Sequence, residues 1–144
     1  MLDYFSSFFI YIFLVGSTSV YSNALSKPLL INKNLIASYN LINSLSNLYI
    51  VMGLSKYVCN TSLGLNIPVN EEVRNYIYLH YLTKYLDFTD TILMILRHKW
   101  RQVNFLQLYH HSTIGIVWYW VYKDGPTDSS TIAFGAFMNS FIHF

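Results

Sequence analysis

The chain of 144 residues is 53% hydrophobic and 18% aromatic, and only 11% of its residues are charged. A soluble domain carries about 25% charged residues, so this composition excludes an ordinary soluble domain. It favours a membrane protein, in which aromatic side chains are enriched at both interfaces. The net charge of +2 and the absence of a long Lys/Arg run exclude a nucleic-acid-binding protein.

An apolar run over residues 4–21 opens the chain, and Asp3 is its only early charge. A signal peptide has a basic region before its apolar region and small residues at the cleavage site. The run lacks the basic region. It is therefore predicted to be a retained first membrane span.

Residues 35–57 form the second predicted span, although Asn and Ser side chains interrupt it. Asn40, Asn43 and Asn47 recur at helical spacing, so we expect them to share one face turned into a helix bundle. Polar side chains commonly hydrogen-bond across the interfaces between membrane helices. This favours a packing role over ligand binding for the three asparagines.

The stretch from Lys56 to Arg74 is rich in Asn, Gly, Pro and Glu and is predicted to be a loop. It contains an N-glycosylation sequon at Asn60. The single cysteine, Cys59, precedes the sequon. One cysteine excludes an intramolecular disulfide and a site built from several thiolates, and no metal site is predicted.

Residues 76–96 and 103–122 are the third and fourth predicted spans, each close to the ~20 residues that a helix needs to cross a bilayer core. The densest basic cluster of the chain, with Arg97, Lys99 and Arg101, lies between them. Because a Lys/Arg excess marks cytoplasmic loops, this loop is predicted to be cytosolic. Counting crossings back places the Asn60 loop and the N-terminus on the lumenal side.

A turn at residues 123–130 ends the fourth helix, and residues 131–144 begin a fifth apolar segment. A helix of that length covers about 21 Å, less than the ~30 Å of a hydrocarbon core, so we expect the sequence to be truncated. The predicted fold class is all-α. It is one polytopic transmembrane helix bundle over residues 1–144, with about four full spans and an incomplete fifth.

A stripe of polar side chains follows the third helix. At helical spacing, His80, Lys84, Asp87 and Thr91 share one face, and Asp90 lies just off it. Ionisable groups inside a membrane segment are costly and mark a functional site by default. Two interpretations stay open: an ion pair between Lys84 and Asp87 that lets the helix enter lipid, or a stripe that faces a substrate cavity.

Histidines recur in the last two helices. Gln107, His110 and His111 follow an i, i+3, i+4 pattern, and Asn139 and His143 follow an i, i+4 pattern. A histidine with an unperturbed pKa near 6.5 is largely neutral at pH 7. It is then able to act as a general base, as a nucleophile towards a thioester or as a metal ligand. The adjacent histidines are therefore predicted to be functional.

Taken together, these patterns resemble the ELO family of very-long-chain fatty acid elongases. The run Lys84-x-x-Asp87-x-x-Asp90-Thr91 is similar to the family's Lys-x-x-Glu-x-x-Asp-Thr box. Asp87 stands where the family has Glu, which shortens the reach of the carboxylate by one methylene.

Two further boxes support the resemblance. The run from Phe105 to His111 is similar to the family's Phe-Leu-His-x-Tyr-His-His box, with Gln107 in place of the first His. The run from Asn139 to His143 is similar to the opening of its Asn-x-x-x-His-x-x-Met-Tyr box. The family's seven-helix bundle implies that later helices are missing from this sequence.

The resemblance implies an acyltransferase of the endoplasmic reticulum membrane that begins very-long-chain fatty acid elongation. It would condense a long-chain acyl-CoA with malonyl-CoA to give a 3-ketoacyl-CoA, CO2 and CoA, with no cofactor besides these substrates. Carried over by motif, His110 is the acyl-accepting nucleophile, His111 is its neighbour, and His143 assists formation of the malonyl-derived carbanion. The supporting residues are Lys84, Asp87, Asp90, Thr91, Gln107 and Asn139.

The basic loop supplies the candidate CoA-binding residues Arg97, Lys99 and Arg101, because their cations suit phosphate groups. The alternative is that these residues act as a topology signal alone. The resemblance implies as partners the two CoA substrates, the lipid bilayer, the reductases and dehydratase of the elongation cycle, and a second copy of the chain.

Two other functions are weighed against this one. A membrane di-iron desaturase or hydroxylase also has a His-x-x-His-His pattern, but its metal centre needs several converging imidazole and carboxylate ligands. Five histidines are too few, and Gln107 breaks the motif. The second is an inactive fragment or degenerate paralogue, because an incomplete bundle would expose the polar faces of Asn139 and His143.

Overall fold

The computed structural model describes residues 5–59, 70–124 and 130–144, apart from the side chains of Asp124 and Ser130. These ranges contain five helices and no strand: α1 (Ser6–Ala24), α2 (Lys33–Cys59), α3 (Glu71–Leu96), α4 (Phe105–Asp124) and α5 (Ser130–His143). The predicted all-α class is confirmed.

Over the same ranges, none of the helices combines the length with the apolar content that crossing a bilayer requires. The membrane-spanning part of the predicted fold class stays a prediction. The sequon residue Asn60 and most of the predicted turn at 123–130 lie outside the described residues.

The ends of α2 and α3 extend beyond the sequence prediction. Helix α2 continues to Cys59, and α3 begins at Glu71 rather than at residue 76. Asn70 caps α3, because its side-chain oxygen accepts a hydrogen bond of 2.9 Å from the Val73 N–H. The Glu71 and Glu72 carboxylates in the first turn complement the helix dipole. Because charged residues interrupt the apolar pattern, the loop predicted from Lys56 to Arg74 includes the last residues of α2 and the first residues of α3.

Helix α3 is central and contacts each of the other four helices, whereas α5 packs mainly against α2. One end of the bundle is held by an apolar core that α2, α3, α4 and α5 share. Its members are Ile50, Leu54, Val73, Ile77, Tyr81, Trp118, Tyr119, Ala133 and Ala136. Burying a large aliphatic side chain such as Ile50 or Leu54 away from water contributes about 1.5–3 kcal/mol.

The buried face of α3 is polar over its middle turns. It carries His80, Thr83, Lys84, Asp87 and Thr91. Several large apolar side chains of the same helix, Leu79 and Leu82 among them, are exposed instead. Helix α3 therefore turns polar groups towards its neighbours and apolar groups towards the surroundings.

The connection from α3 to α4 is fixed against the end of α1. His98 has a φ of 53°, in the left-handed region where histidine is one of the tolerated residues. Its Nε2 donates a hydrogen bond of 3.1 Å to the Ser22 carbonyl oxygen. The Ser22 hydroxyl donates to the Ile95 carbonyl at 2.8 Å, and the Leu29 N–H donates to the Leu96 carbonyl at 2.9 Å.

Candidate active site

The centre of the candidate site is the buried ammonium group of Lys84. The side chain is fully buried, and its Nζ donates to Asp87 Oδ2 at 2.9 Å and to Asn139 Oδ1 at 2.7 Å. The first contact lies within α3, at i and i+3. The second reaches α5. The predicted ion pair is therefore present, and the same cation also joins two of the three sequence boxes.

Asparagines of α2 extend this network. Asn43 Nδ2 donates to Asp87 Oδ1 at 3.3 Å, and Asn47 Nδ2 donates to the Asn43 carbonyl and to its side-chain oxygen, at 2.9 and 3.1 Å. Both therefore face the bundle, as the helical spacing predicts. The expectation for Asn40 is wrong. Its side chain is exposed although it lies on the same side of α2 as Asn47, which is buried.

The far end of the first box lies against α1. The buried Tyr11 hydroxyl donates to Thr91 Oγ1 at 3.3 Å. The Tyr11 ring also lies 4.7 Å from the Phe88 ring and 6.2 Å from the His111 ring, measured between centroids. Asp90 is half-buried and lies off the stripe, as the spacing predicts. It interacts electrostatically with Asp87 and Lys99.

The two adjacent histidines of α4 occupy different environments. His111 is buried, and its Nδ1 has no hydrogen-bond partner among the described residues. His110 is half-buried, and its ring is nearly perpendicular to that of His111, with centroids 5.7 Å apart. His110, His111 and Gln107 line a cleft of about 350 Å³ together with Asn104 and Leu106. Of the two histidines that line this cleft, His110 is thus the more accessible.

Gln107 lies at the wall of this cleft. Its backbone N–H donates a hydrogen bond of 2.8 Å to Asn104 Oδ1, and this bond caps the start of α4. Its side-chain Nε2 donates to Met94 Sδ at 3.5 Å. The side chain at this position therefore ties α4 to the end of α3.

His143 completes the cluster from α5. It is half-buried and interacts electrostatically with Lys84, Asp87 and His110. His111 interacts with the same two charges and with both other histidines. Lys84 thus bonds the first box to the third directly, and histidines of the second and third boxes interact electrostatically with it. Over the described residues, no three His, Cys, Asp or Glu side chains are grouped so that they could hold a metal ion.

The basic loop lies at one end of the bundle. Lys99 and Arg101 are exposed and line a shallow concavity of about 650 Å³ with His98, Trp100 and Gln102. Arg97 ends α3, is half-buried and is not part of this lining. Two of the three candidate CoA-binding residues therefore share one surface, and the third lies beside it.

Sequence reasoning missed two buried polar contributors to the site. Tyr11 comes from α1, and Ser140 shares a hydrogen bond of 2.8 Å with the ring of His80. Each belongs to an apolar segment whose pattern shows which residues are apolar but not which hydroxyl will be buried. No signal in one sequence links Tyr11 to Thr91, which lie 80 positions apart.

Comparison with known families gives one match over almost the whole chain. Residues 2–144 match the profile described as "ELO: GNS1/SUR4 family". This range includes all three sequence boxes and the basic loop.

Several curated relatives are similar to the chain. It is 35% identical to fatty acid elongase 5 of Trypanosoma cruzi over 106 residues, which are 74% of this chain and 42% of that protein. It is 34% identical to fatty acid elongase 5 of Leishmania major over 105 residues, 73% of this chain and 42% of the relative. Very long chain fatty acid elongase 2 of Mus musculus is 29% identical over 127 residues, with coverages of 82% and 42%. The chain thus spans less than half the length of each of these relatives.

Proposed function

Because this chain belongs to the ELO (GNS1/SUR4) family of fatty acid elongases, we propose that it catalyses the condensing step of elongation. A long-chain acyl-CoA and malonyl-CoA would give a 3-ketoacyl-CoA, CO2 and CoA. The observation that carries the proposal is the buried Lys84, which bonds Asn139 of the third box and interacts electrostatically with His111 of the second box and His143 of the third. The curated relatives bear elongase names, and the reaction itself is our proposal for this chain.

In the first step, a neutral imidazole of His110 attacks the acyl thioester. The new bond joins the ring nitrogen to the acyl carbon, the carbon–sulfur bond breaks, and CoA leaves as the thiolate. A covalent intermediate divides one difficult condensation into two easier steps. His110 suits this role better than His111, because His110 is the less buried of the two in the cleft that both line.

In the second step, malonyl-CoA loses CO2 and leaves an enolate carbanion at its α-carbon. This carbon attacks the acyl carbonyl of the acyl-imidazolium that the first step leaves, and the carbon–nitrogen bond breaks to release neutral His110 and the 3-ketoacyl-CoA. The negative charge that develops on the enolate needs fixed donors or cations nearby, which are the largest source of stabilisation in such reactions. We assign the stabilisation of the enolate to His143, which interacts electrostatically with Lys84.

The supporting residues hold these groups in place. Asp87 and Asn139 fix the Lys84 ammonium through hydrogen bonds of 2.9 and 2.7 Å. Thr91 is held by Tyr11, whose ring lies beside His111. Asp90 and Gln107 border the cluster. An incorrectly placed reacting group costs a large factor in rate, which is why a rigid surrounding network suits this chemistry.

The CoA portions of both substrates are proposed to bind at the basic loop. Lys99 and Arg101 share a concavity with Trp100, and their cations match the phosphates of CoA. We further propose that the protein lies in the endoplasmic reticulum membrane with this loop on the cytosolic side and the N-terminus in the lumen. The Lys/Arg excess in this loop supports that orientation.

The proposal is tested by trapping the first intermediate. Microsomes that contain the protein are incubated with radiolabelled acyl-CoA, first without and then with malonyl-CoA, and His110→Ala, His111→Ala and Trp120→Phe variants are compared. The wild type should become labelled and should pass its label to a 3-ketoacyl product when malonyl-CoA is added. His110→Ala should abolish both signals. Trp120→Phe, an exposed position of the same helix, should preserve them.

If the His110→Ala protein still becomes labelled, the nucleophile is a residue other than His110. A wild type that forms neither intermediate nor product, at a protein level matched by immunoblot, would contradict the proposed activity.

A further inference from the structure

His80 is a fully buried histidine that the proposed reaction does not use. It belongs to α3, one helical turn before Lys84, and its side chain has no exposed surface. A fully buried imidazole is costly unless its ring nitrogens are hydrogen-bonded. The contacts of its two nitrogens therefore indicate what it does.

One ring nitrogen contacts α5. His80 Nδ1 shares a hydrogen bond of 2.8 Å with the hydroxyl of Ser140, which is also fully buried. The residue before Ser140 is Asn139, which accepts a hydrogen bond from Lys84. Two successive residues of α5 are thus bonded to two residues of α3 that lie one turn apart.

The other ring nitrogen makes no such contact. His80 Nε2 has no hydrogen-bond partner among the described residues. The ring packs edge-on against Trp118 of α4, with centroids 4.4 Å apart and planes at 79°. Packing and the Nδ1 bond therefore orient the imidazole, and Nδ1 is the atom that links it to another helix.

A double attachment fixes a helix more completely than a single one. One bond between Lys84 and Asn139 would leave α5 free to rotate about it or tilt, since the lysine side chain is long and adaptable. A second bond one turn away removes that freedom. Helix α5 packs mainly on α2, and Ala133 and Ala136 join it to α3 only through the apolar core at its beginning. Nearer its end, these two polar contacts fix its register against α3. His143 lies four residues after Asn139, on the same face of α5.

We propose that His80, through its Nδ1 bond to Ser140, is a positioning residue that sets the register of α5 against α3 and thereby places Asn139 at Lys84 and His143 at the histidine cluster. The inference rests on the proposed condensation for its catalytic consequence. Because the proposal concerns one ring nitrogen, Nδ1, it can be tested with substitutions that keep or remove a hydrogen-bonding atom at that position.

The test compares three replacements of His80 in the full protein. Asparagine places an amide atom near the position of Nδ1, glutamine places one near Nε2, and phenylalanine keeps the ring against Trp118 without either nitrogen. We expect His80→Phe and His80→Gln to lower kcat for condensation about 10- to 100-fold, with KM for malonyl-CoA within about twofold. His80→Asn should stay within about threefold of the wild type.

Ser140→Ala removes the same bond with the smallest change in volume and covers the case in which His80→Phe does not fold. Its kcat should fall as far as that of His80→Phe, and the double variant should fall no further. Ser17→Ala is the matched control, because Ser17 of α1 donates within its own helix, to the Phe13 carbonyl at 2.7 Å. Wild-type kcat in Ser140→Ala, additive losses in the double variant, or equal losses in His80→Asn and His80→Gln would each overturn the proposal.

Thermal unfolding of the wild type, His80→Phe, Ser140→Ala and their double variant separates this inference from the proposed function. If His80 and Ser140 act through one bond, their effects on Tm should not add. An inactive wild type with coupled Tm shifts would contradict the elongase activity and keep the register role. An active wild type, with Tm shifts and kcat losses that add in the double variant, would support the elongase activity and contradict the register role.

Discussion

At the scale of single residues, the stability of the protein depends strongly on the hydrogen bonds of the buried Lys84. A buried ion is stable when its geometry is good and its remaining hydrogen-bonding capacity is filled. Lys84 has two oxygen acceptors at 2.7 and 2.9 Å and no exposed surface. Asp87 in turn receives hydrogen bonds from Lys84 and Asn43. Removing any member leaves a buried polar group without its partner.

Lys84→Met should therefore lower the free energy of unfolding by about 3–5 kcal/mol, because Asp87 is left as an uncompensated buried charge. Unfolding in detergent with increasing denaturant measures the change. Asp87→Asn added to Lys84→Met should recover part of the loss. Lys56→Met is the control, since the Lys56–Glu72 pair is about half-exposed on both sides and exposed pairs contribute little. Equal effects of the two methionine variants would show that burial of Lys84 does not matter.

At the scale of elements, two glycines show how closely the helices approach. A Cβ on Gly53 of α2 would lie 2.2 Å from the Tyr76 ring of α3, whereas a Cβ on Gly16 of α1 would have nothing within 4 Å. Alanine favours a helix over glycine by about 0.5–1 kcal/mol, and this gain applies at both positions. Only the steric environment distinguishes them.

Gly16→Ala should stabilise the protein by about 0.5–1 kcal/mol, and Gly53→Ala should destabilise it, because the Tyr76 ring must leave its place beside Tyr49 and overpacking costs about 1–3 kcal/mol. Chemical unfolding of the two variants gives the comparison. Introducing Gly53→Ala into a Tyr76→Ala background should remove the penalty. A Gly53→Ala protein that gains as much as Gly16→Ala would show that α2 and α3 are not this close.

The start of α3 has a pH-dependent contact with the end of α2. The Glu72 carboxylate accepts hydrogen bonds from Lys56 and, at 2.5 Å, from the Tyr57 hydroxyl. These donors, Lys56 first, lower the pKa of the Glu72 carboxyl below its usual 4.5. A carboxyl with a lowered folded-state pKa contributes stability that is present above its unfolded pKa and is lost as pH falls through its folded pKa.

Glu72→Gln should accordingly be less stable than the wild type at pH 7, and the difference should shrink as the pH falls below about 4.5. Tm measured from pH 7 to pH 3 for both proteins gives the two curves. Glu71→Gln, whose carboxylate belongs to the same first turn, serves as control for the helix dipole. A Glu72→Gln difference that is constant with pH would contradict the assigned contacts.

At the scale of the whole molecule, charged and polar groups are buried beside an apolar core, while many large apolar side chains are exposed. Lys84, Asp87 and His80 are buried, whereas Leu30, Phe13 and Phe105 are 97%, 72% and 82% exposed. Exposed apolar surface of this extent marks contact with another apolar phase or partner. The arrangement supports the proposed membrane location.

Cells that express the protein should accordingly retain it in the membrane pellet after alkaline carbonate extraction and release it with detergent. Immunoblotting of pellet and supernatant measures the partition, and a peripheral membrane protein released by carbonate serves as control. Recovery of the folded protein in the carbonate supernatant would contradict a membrane-embedded location.

Sequence alone predicted the helical class and the shared face of His80, Lys84, Asp87 and Thr91, because helical spacing determines a face whatever packs against it. It could not predict the partner of each face. The bond from Asn43 to Asp87 spans 44 positions, and that from His80 to Ser140 spans 60. The same limit explains the wrong expectation for Asn40, since spacing groups residues on one face but does not say which of them a neighbouring helix covers.

The separation of Lys84 and Asn139 by 55 positions has a consequence in time. A ribosome adds about 5–20 residues per second, so about 3–11 s pass between the synthesis of the lysine and that of its second acceptor. Of the two acceptors of Lys84, only Asp87 is present in the nascent chain during this interval. One of the hydrogen bonds of the ammonium group is therefore missing. An Asn139→Leu chain would never leave that state. Its Lys84 ammonium would keep Asp87 as its ion-pair partner but would lack the second acceptor for the whole lifetime of the chain.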